Sequence, residues 1–327
     1  MTCESLFKSL VKFTILKGEA IMGNYLVKRI FSMLLTLWFV ITITFFLMHS
    51  IPGGPFTREK ELPPQVVEAL NEKYHLDDPL YKQYFDYLKG VATFDLGPSF
   101  VMTGVEVTDL IKKGFPYSAR IGGIAAIVVL LVGIPIGIIS ALKQNSIIDY
   151  IVTIIATIGV AVPGFVVATV YIYVFSSELG WVPSFGLDGW KSYIGPVLAL
   201  SFFSLAFVMR LMRSSMLEVL GADYIRTARA KGIPESIVIY KHALKNAIIP
   251  VITYIGPMVA AILTGSFVIE RIFAIPGMGK YFVESVGNRD YTVLMGTTVF
   301  YAALVIVAIL TVDIAYTLVD PRIKFGD

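Results

Sequence analysis

Cysteine is nearly absent from this sequence: among its 327 residues the only one is Cys3, and there are three histidines. A single cysteine excludes a disulfide framework and a metal site built from paired thiolates. The sequence also lacks a G-x-x-x-x-G-K-[ST] phosphate-binding loop, an H-E-x-x-H pair and a G-x-S-x-G elbow. We therefore expect this chain to have no enzymatic activity, to bind no cofactor or metal, and not to hydrolyse ATP by itself.

Charged residues are scarce as well, at 16% of the chain, whereas 56% of the residues are hydrophobic. Several apolar runs reach the ~20 residues that a helix needs to cross a bilayer. The net charge of +3 gives no reason to expect a nucleic acid partner. The composition predicts an all-α polytopic membrane protein with the lipid bilayer as its solvent.

The apolar runs and the charges together predict the topology. Lys28-Arg29 precede the first run, and basic residues exceed acidic ones between the fourth and fifth runs. By the positive-inside rule, both termini and that connecting loop are predicted to be cytoplasmic. The predicted parts are a cytoplasmic segment 1–29, a first span 30–49, an external helical cap 50–117, a five-helix core 118–319 with a cytoplasmic loop 213–247, and a cytoplasmic tail 320–327. The spans predicted within the core are 118–142, 150–175, 193–212, 248–269 and 292–319.

Prolines and glycines predict where the helices start, break and pack closely. Pro63-Pro64 opens one helical pattern in the cap, and a second one begins at Leu80. Pro163-Gly164 is expected to break the third span. Gly133 and Gly137 form a G-x-x-x-G pair that would allow a neighbouring helix to approach.

One stretch of the cytoplasmic loop, D-Y-I-R-T-A-R-A-K-G at 223–232, has the sequence features of a short helix. A loop that only connects two spans does not need such a helix. Asp223 is predicted as the N-cap and Gly232 as the left-handed residue that ends the helix, while Pro234 suits the first turn of a second helix. Helical spacing places Tyr224, Ile225 and Ala228 on one face and Arg226 and Arg229 on another. We expect a partner outside the membrane to bind this short helix.

The same stretch carries a family resemblance. Its R-T-A-R-A-K-G run resembles the cytoplasmic Glu-Ala-Ala loop of permease subunits of bacterial ABC importers, and more closely the peptide, dipeptide and nickel branch of that family. Here the Glu and the first Ala are replaced, although Gly232 stands at the expected spacing. Later, His242-Ala243-Leu244-Lys245 stands where Ile-x-Leu-Pro would be.

The resemblance extends from about Met22 to the C-terminus and is closest to the first permease subunit of oligopeptide importers. Each motif is modestly specific, and their order and spacing together are highly specific. The motifs are Tyr25-Leu26-Val27-Lys28-Arg29-Ile30, Ile51-Pro52-Gly53-Gly54-Pro55-Phe56, Lys73-Tyr74-His75-Leu76-Asp77-Asp78-Pro79, Asp95-Leu96-Gly97-Pro98-Ser99-Phe100, Ile275-Pro276-Gly277-Met278-Gly279, Asn288-Arg289-Asp290-Tyr291 and Asp320-Pro321-Arg322-Ile323.

The resemblance implies a type I ABC importer permease fold in the bacterial inner membrane. It implies a heterodimer with a second permease subunit, two cytoplasmic ATPase subunits that use ATP and Mg²⁺, and an extracytoplasmic peptide-binding protein. A coupling helix would contact an ATPase subunit, with the apolar face packing against it and the basic residues at the rim. That helix would comprise Asp223, Tyr224, Ile225, Arg226, Thr227, Ala228, Arg229, Ala230, Lys231 and Gly232.

Other functions remain open at this point. Within the family, the alternatives to an oligopeptide permease are a dipeptide or nickel permease. From other classes, the alternatives are a stand-alone secondary transporter or channel, for which Arg120 and Asp313 would be the residues to study, and a membrane enzyme. No motif identifies residues of a substrate path.

Overall fold

The computed structural model describes residues 27–52, 54–56, 63–263 and 267–319; for 64 and 312–319 it describes the backbone only. The predicted segment 320–327 and most of the predicted segment 1–29 lie outside the described residues. The side chain of Asp313 lies outside them too.

The described residues form helices joined by turns, with one isolated β-bridge between Pro98 and Glu106. Two helices continue into π-helical turns: α6 into Ile172–Glu178, and α9 into Val238–Ala243. The helices are α1 (Val27–His49), α2 (Pro64–Lys73), α3 (Leu80–Ala92), α4 (Val107–Leu142), α5 (Ile147–Ala161), α6 (Gly164–Tyr171), α7 (Lys191–Leu220), α8 (Asp223–Ala230), α9 (Glu235–Ile237), α10 (Leu244–Ala247), α11 (Ile249–Leu263), α12 (Phe267–Ile272), α13 (Met278–Asn288) and α14 (Tyr291–Val319).

Long apolar helices dominate this arrangement. Within the described part, five helical segments are long and apolar enough to cross a membrane: α1, α4, α7, the stretch Ile249–Ile272, and α14. The pair α5 and α6 makes a sixth when it is counted as one span, and it bends by 104°. The bend lies at Pro163, as predicted, because proline cannot donate the amide hydrogen bond that would continue α5.

Two helices extend beyond the predicted spans. α4 begins at Val107, inside the segment predicted as the cap, because Val107, Leu110 and Ile111 are buried in a small core with Met278 and Val293. α7 continues to Leu220, inside the predicted loop 213–247, because its last turns bury further side chains, among them Met216. Packing against neighbouring elements therefore extends helices that hydropathy alone would end at the membrane boundary.

α4 and α7 run parallel and make the centre of the bundle. The predicted close approach at Gly133 and Gly137 is confirmed: a Cβ at Gly133 would lie 3.1 Å from Val208 Cγ1, and one at Gly137 would lie 2.7 Å from Met212 Cβ. α5 runs antiparallel to α7, and a Cβ on its Gly159 would meet Ala206. Glycines at these crossings let the helix backbones approach closely. Close packing of this kind holds helices together in a bilayer, because there the hydrophobic effect does not drive one helix onto another.

The bundle has two ends, which we name by what they carry. The cap side is the end where α1 finishes and α4 and α14 begin; there the His49 ring lies 6.3 Å from that of Tyr291. The predicted cap helices are confirmed as α2, which starts at Pro64, and α3, which starts at Leu80. The loop side is the opposite end, where α4 and α7 finish and α8 lies.

A buried carboxylate holds the cap side together. Asp290, which precedes α14, accepts hydrogen bonds from the amides of Phe100 (3.2 Å) and Val293 (3.3 Å). The hydroxyls of Ser99 and Thr292 also donate to it. Asp290 therefore caps α14 and fixes the 98–102 loop on it.

Candidate functional site

The predicted short helix in the loop exists as α8, Asp223–Ala230. The prediction that Asp223 is its N-cap is wrong: the N-cap is Ala222, which makes no side-chain capping bond, and Asp223 is the first helical residue. Only a short turn separates α7 from α8, so Ala222 takes the extended capping conformation and its carbonyl accepts the amide of Ile225 at 3.1 Å. Asp223 still stabilises the helix, because a carboxylate in the first turn interacts favourably with the helix dipole.

The end of α8 follows the prediction. Gly232 has φ +71°, the left-handed conformation that commonly follows a helix, and its amide donates to the Arg229 carbonyl at 2.9 Å. Pro234 precedes rather than opens the next helix, since α9 begins at Glu235 with Pro234 as its N-cap residue. Four residues, Lys231 to Pro234, therefore connect α8 to α9.

The apolar face of α8 is directed into this chain. Ile225 is fully buried and Ala228 nearly so, and both belong to the main hydrophobic core together with Met216 of α7 and Val238. Ile225 and Ala228 therefore cannot supply the apolar contact to a partner that was predicted for them. Hydrophobic burial against α7 and the π-helical turn takes up that face, because a short isolated helix would be marginally stable in water.

Eight of the ten predicted contact residues are exposed. The Tyr224 side chain is exposed, but its position is fixed because its hydroxyl oxygen accepts a hydrogen bond from Asn246 Nδ2 at 2.8 Å. The Arg226 guanidinium lies 3.4 Å from the Asp223 carboxylate on the outer face. The exposed members are Asp223, Tyr224, Arg226, Thr227, Arg229, Ala230, Lys231 and Gly232.

An ion pair ties α8 to α9. Arg229 Nη2 donates to Glu235 Oε1 at 2.6 Å, and Arg229 Nε donates to Glu235 Oε2 at 3.2 Å. These hydrogen bonds hold the pKa of the Glu235 carboxyl below its usual range. Arg229 is therefore a fixed part of the turn, whereas the guanidinium of Arg226 is held only by a longer contact.

The sequence interpretation missed two exposed apolar residues beside α8. Tyr240 is 71% exposed and Ile237 is 43% exposed, while Val238 between them is fully buried. The sequence feature that could have indicated these exposed residues is the unbroken apolar run 237–240. Residues at consecutive positions point around the whole helix, so one packed face cannot bury all of them. With Tyr224 and Arg226, these side chains form an exposed surface that we call the loop-side surface.

A buried ion pair supports the helix that leads into α8. Arg213 of α7 donates from Nε to Asp149 Oδ1 at 2.6 Å and from Nη2 to Oδ2 at 2.7 Å. The Ser140 hydroxyl and the Asn145 amide also donate to this carboxylate. The sequence interpretation counted Arg213 among the loop charges, but Arg213 joins α7 to Asp149 in the first turn of α5.

The geometry supports binding of a protein partner. Among the residues that the structure describes, no group of three His, Cys, Asp or Glu side chains could hold a metal ion. The loop-side surface instead offers aromatic and basic side chains on a helix whose inner face is locked into the bundle. Movement of a bound partner would therefore be passed to the bundle through the π-helical turn and the core that α8 shares with it.

Comparison with known proteins gives a consistent result. Residues 133–325 match the family described as the inner membrane component of binding-protein-dependent transport systems, and residues 22–120 match the N-terminal part of such components.

Relatives match along almost the whole chain. The dipeptide transport system permease protein DppB of Bacillus subtilis is 48% identical over 303 residues, which cover 93% of this chain and 98% of that protein. The oligopeptide transport system permease protein OppB of Salmonella typhimurium is 44% identical over 306 residues, which cover 93% of this chain and all of that protein.

The fold also matches a solved structure. An inward-facing form of the MetNI methionine ABC transporter superposes with a TM-score of 0.54 at 18% identity, over 64% of this chain and 96% of that one. At this identity the likeness is one of fold. It confirms the predicted all-α permease architecture.

Proposed function

Since this chain belongs to the family of inner membrane components of binding-protein-dependent transport systems, we propose that it is one permease subunit of an ATP-driven peptide importer. Membership of that family makes the chain an integral membrane component of a larger transport system. A stand-alone transporter or channel and a membrane enzyme, both open from the residues alone, are therefore set aside.

The observation that carries the proposal is the full-length match to peptide permeases. Identities of 48% and 44% extend over 93% of this chain, so the match includes the cap, the loop-side surface and the bundle. The proposed substrate class is therefore peptides. One relative is named for dipeptides and the other for oligopeptides, so we propose peptides of both sizes as the substrates to compare.

In the proposed complex, this chain pairs with a second permease, and two ATPase subunits bind at the loop side, which is the cytoplasmic side. A peptide-binding protein delivers substrate at the cap side. ATP and Mg²⁺ are used by the ATPase subunits. Both termini of this chain are cytoplasmic, in agreement with the basic residues Lys28 and Arg29 before α1.

α8 couples the ATPase to the bundle in this proposal. The ATPase grips the exposed side, through Tyr224, Arg226 and the neighbouring Tyr240. On the opposite side of α8, the Ile225 side chain is buried against the rest of this chain. Closure of the ATPase subunits on ATP would therefore move α7 with α8, and the bundle would alternate between open states.

The test is transport by the reconstituted complex. The chain, its second permease and two ATPase subunits would be placed in proteoliposomes with the binding protein and a labelled di- or pentapeptide outside. The proposal predicts peptide accumulation that requires ATP inside and the binding protein outside. Uptake that continues without ATP, or ATP-driven uptake that excludes peptides of both lengths, would contradict it.

A further inference from the structure

α3, in the cap, has three distinct faces. One face packs on α1 through Gln83, Tyr84 and Tyr87. A second face carries charge, with Lys82, Asp86 and Lys89. Between them runs an apolar stripe at helical spacing, formed by Tyr81, Phe85, Leu88 and Ala92.

The stripe is uncovered where a water-soluble helix would bury it. Tyr81 is 69% exposed and Phe85 is 63% exposed. Two large aromatic side chains left open on one edge, beside lysines on the next, are typical of a helix that lies in a membrane interface. Aromatic rings occupy the headgroup level there, and the lysines reach the phosphates.

The depth of α3 places it at that interface. Its Tyr84 hydroxyl shares a hydrogen bond with Thr42 Oγ1 at 2.7 Å, and its Gln83 Oε1 lies 3.1 Å from His49 Nε2. Thr42 and His49 both belong to the spanning helix α1. At 1.5 Å per residue, Thr42 lies about 10 Å below the end of that helix, so α3 lies alongside the last turns of the span.

The lipid-facing surface of α1 continues into the stripe of α3. At the level of Tyr84, α1 exposes Ile43, Phe46 and Leu47, which in a spanning helix face acyl chains. The Phe46 ring stacks on Tyr84 with centroids 5.6 Å apart, and the Tyr84 and Phe85 ring centroids are 5.7 Å apart. The aromatic surface is therefore unbroken from the span to the exposed edge of α3.

We propose that α3 is an interfacial helix, with Tyr81 and Phe85 embedded between the headgroups and acyl chains of the cap-side leaflet. Lys89 faces the lipid phosphates and water, whereas Lys82 donates to the Asp78 carboxylate at 3.0 Å on the water-facing side. The partner of this surface is the lipid leaflet itself, and the contact holds the cap at a fixed height on the membrane. This role is separate from the proposed transport function and does not depend on the substrate.

Spin-label accessibility tests the proposal directly, because the chain has one cysteine, Cys3. In the full-length Cys3→Ser chain in lipid nanodiscs, single labels would be placed by Tyr81→Cys and Phe85→Cys. The matched controls are Lys82→Cys and Asp86→Cys on the charged face. Ile43→Cys supplies the lipid-facing reference.

Collisions with oxygen, which concentrates in lipid, are compared with collisions with a water-soluble nickel chelate. We expect labels at positions 81 and 85 to resemble the label at position 43, with strong oxygen and weak chelate collisions. Labels at positions 82 and 86 should give the reverse ratio. Equal chelate access at 81, 82, 85 and 86 would overturn the proposal. Shielding of 81 and 85 from both reagents would also overturn it, since a protein surface would then cover the stripe.

Discussion

Tyr224 and Ile225 are adjacent in the chain and face opposite environments. The Ile225 side chain is fully buried against the bundle, whereas the Tyr224 ring is 43% exposed and is held at its hydroxyl by Asn246. α8 thus has a face that belongs to this chain and a face that is open to a partner. The two faces predict different mutant phenotypes.

Truncation of the buried face should unfold the loop side. Ile225→Ala removes a core side chain, and we expect the unfolding free energy in detergent to fall by about 2–5 kcal/mol. Ile237→Ala is the matched control, because Ile237 is 43% exposed. Ile237→Ala should leave thermal unfolding unchanged but weaken attachment of the ATPase subunits. Equal loss of stability in both variants would contradict the assignment of the two faces.

The turn after α8 should be sensitive to backbone conformation rather than to size. Gly232 has φ +71°, yet nothing lies within 4 Å of a Cβ placed there. Gly232→Val should strain this turn by at least about 1–2 kcal/mol and reduce ATP-driven uptake. Gly232→Asn should keep most of the uptake, since asparagine tolerates the left-handed region. If both variants transport alike, the turn does not set the position of α8.

The ion pair between Asp149 and Arg213 should be a strong determinant of stability. Asp149→Asn keeps the shape but removes the charge that Arg213 faces, and breaking a buried pair costs about 3–5 kcal/mol. Arg213 is 27% exposed at its side chain, so the lower end of that range is expected. Arg210→Gln serves as the control, because Arg210 is exposed and bonds only to Thr157 among the described contacts. Thermal unfolding in detergent measures the stability of both variants. An unchanged unfolding midpoint for Asp149→Asn would show that this ion pair does not stabilise the fold.

Acidification should loosen the turn between α8 and α9. The Arg229 hydrogen bonds lower the folded-state pKa of Glu235, so the ion pair is fully formed above the ordinary Glu pKa of ~4.3 and is lost as the pH falls through the depressed value. A spin label at Lys231→Cys in the Cys3→Ser chain should be immobile at neutral pH and become mobile in acid. The Glu235→Gln variant should show a mobile label at every pH. A label whose mobility is independent of pH in the parent chain would exclude this pair as the cause.

A single methyl group added where α4 crosses α7 should destabilise the fold. A Cβ at Gly137 meets Met212 Cβ at 2.7 Å and the Met209 carbonyl oxygen at 2.8 Å, so Gly137→Ala should cost about 1–3 kcal/mol. Gly123 on the same helix has nothing within 4 Å of an added Cβ. Gly123→Ala should therefore be at least as stable as the parent chain, because alanine favours a helix more than glycine does. A similar loss of stability in both variants would contradict crowding against α7 as the cause.

Much of the fold could be predicted from the sequence, because apolar length and proline placement act locally. The runs that became α1, α7 and α14, the break at Pro163 and the start of α2 at Pro64 follow from such signals. What could not be predicted depends on contacts between distant residues. α4 starts early because its first turns pack against α13 and α14, and no local pattern marks that contact.

The glycine motif at 275–279 shows the same limit. The sequence shows the motif but not its physical reason, which is a buried carboxylate on the preceding helix that also binds a distant serine. Glu270 accepts the Gly279 amide at 2.8 Å and the Ser118 hydroxyl at 2.7 Å. A side chain at Gly279 would collide with the backbone of Phe267. Such an arrangement joins α4, α12 and α13, and it becomes visible only when they are placed together.

At the candidate site, the position of α8 was predictable and the direction of its faces was not. Helical spacing was used to place Tyr224, Ile225 and Ala228 on one face, which holds for the buried Ile225 and Ala228 but is wrong for the exposed Tyr224. An apolar face can also be directed either to a partner or to the chain itself. The structure directs it inward, and the exposed apolar contact moves to Ile237 and Tyr240. Tyr240 lies within the π-helical turn, and Ile237 is the last residue of α9 before it.

Site-specific photo-crosslinking tests the central claim most directly. A photoreactive amino acid would replace Arg226 or Tyr240 on the loop-side surface, and Phe85 on the cap side as a control. In the assembled complex, we predict adducts with an ATPase subunit from positions 226 and 240 and none from position 85. Adducts to the ATPase from position 85 alone, or none from 226 and 240, would contradict both the coupling role of α8 and the proposed orientation.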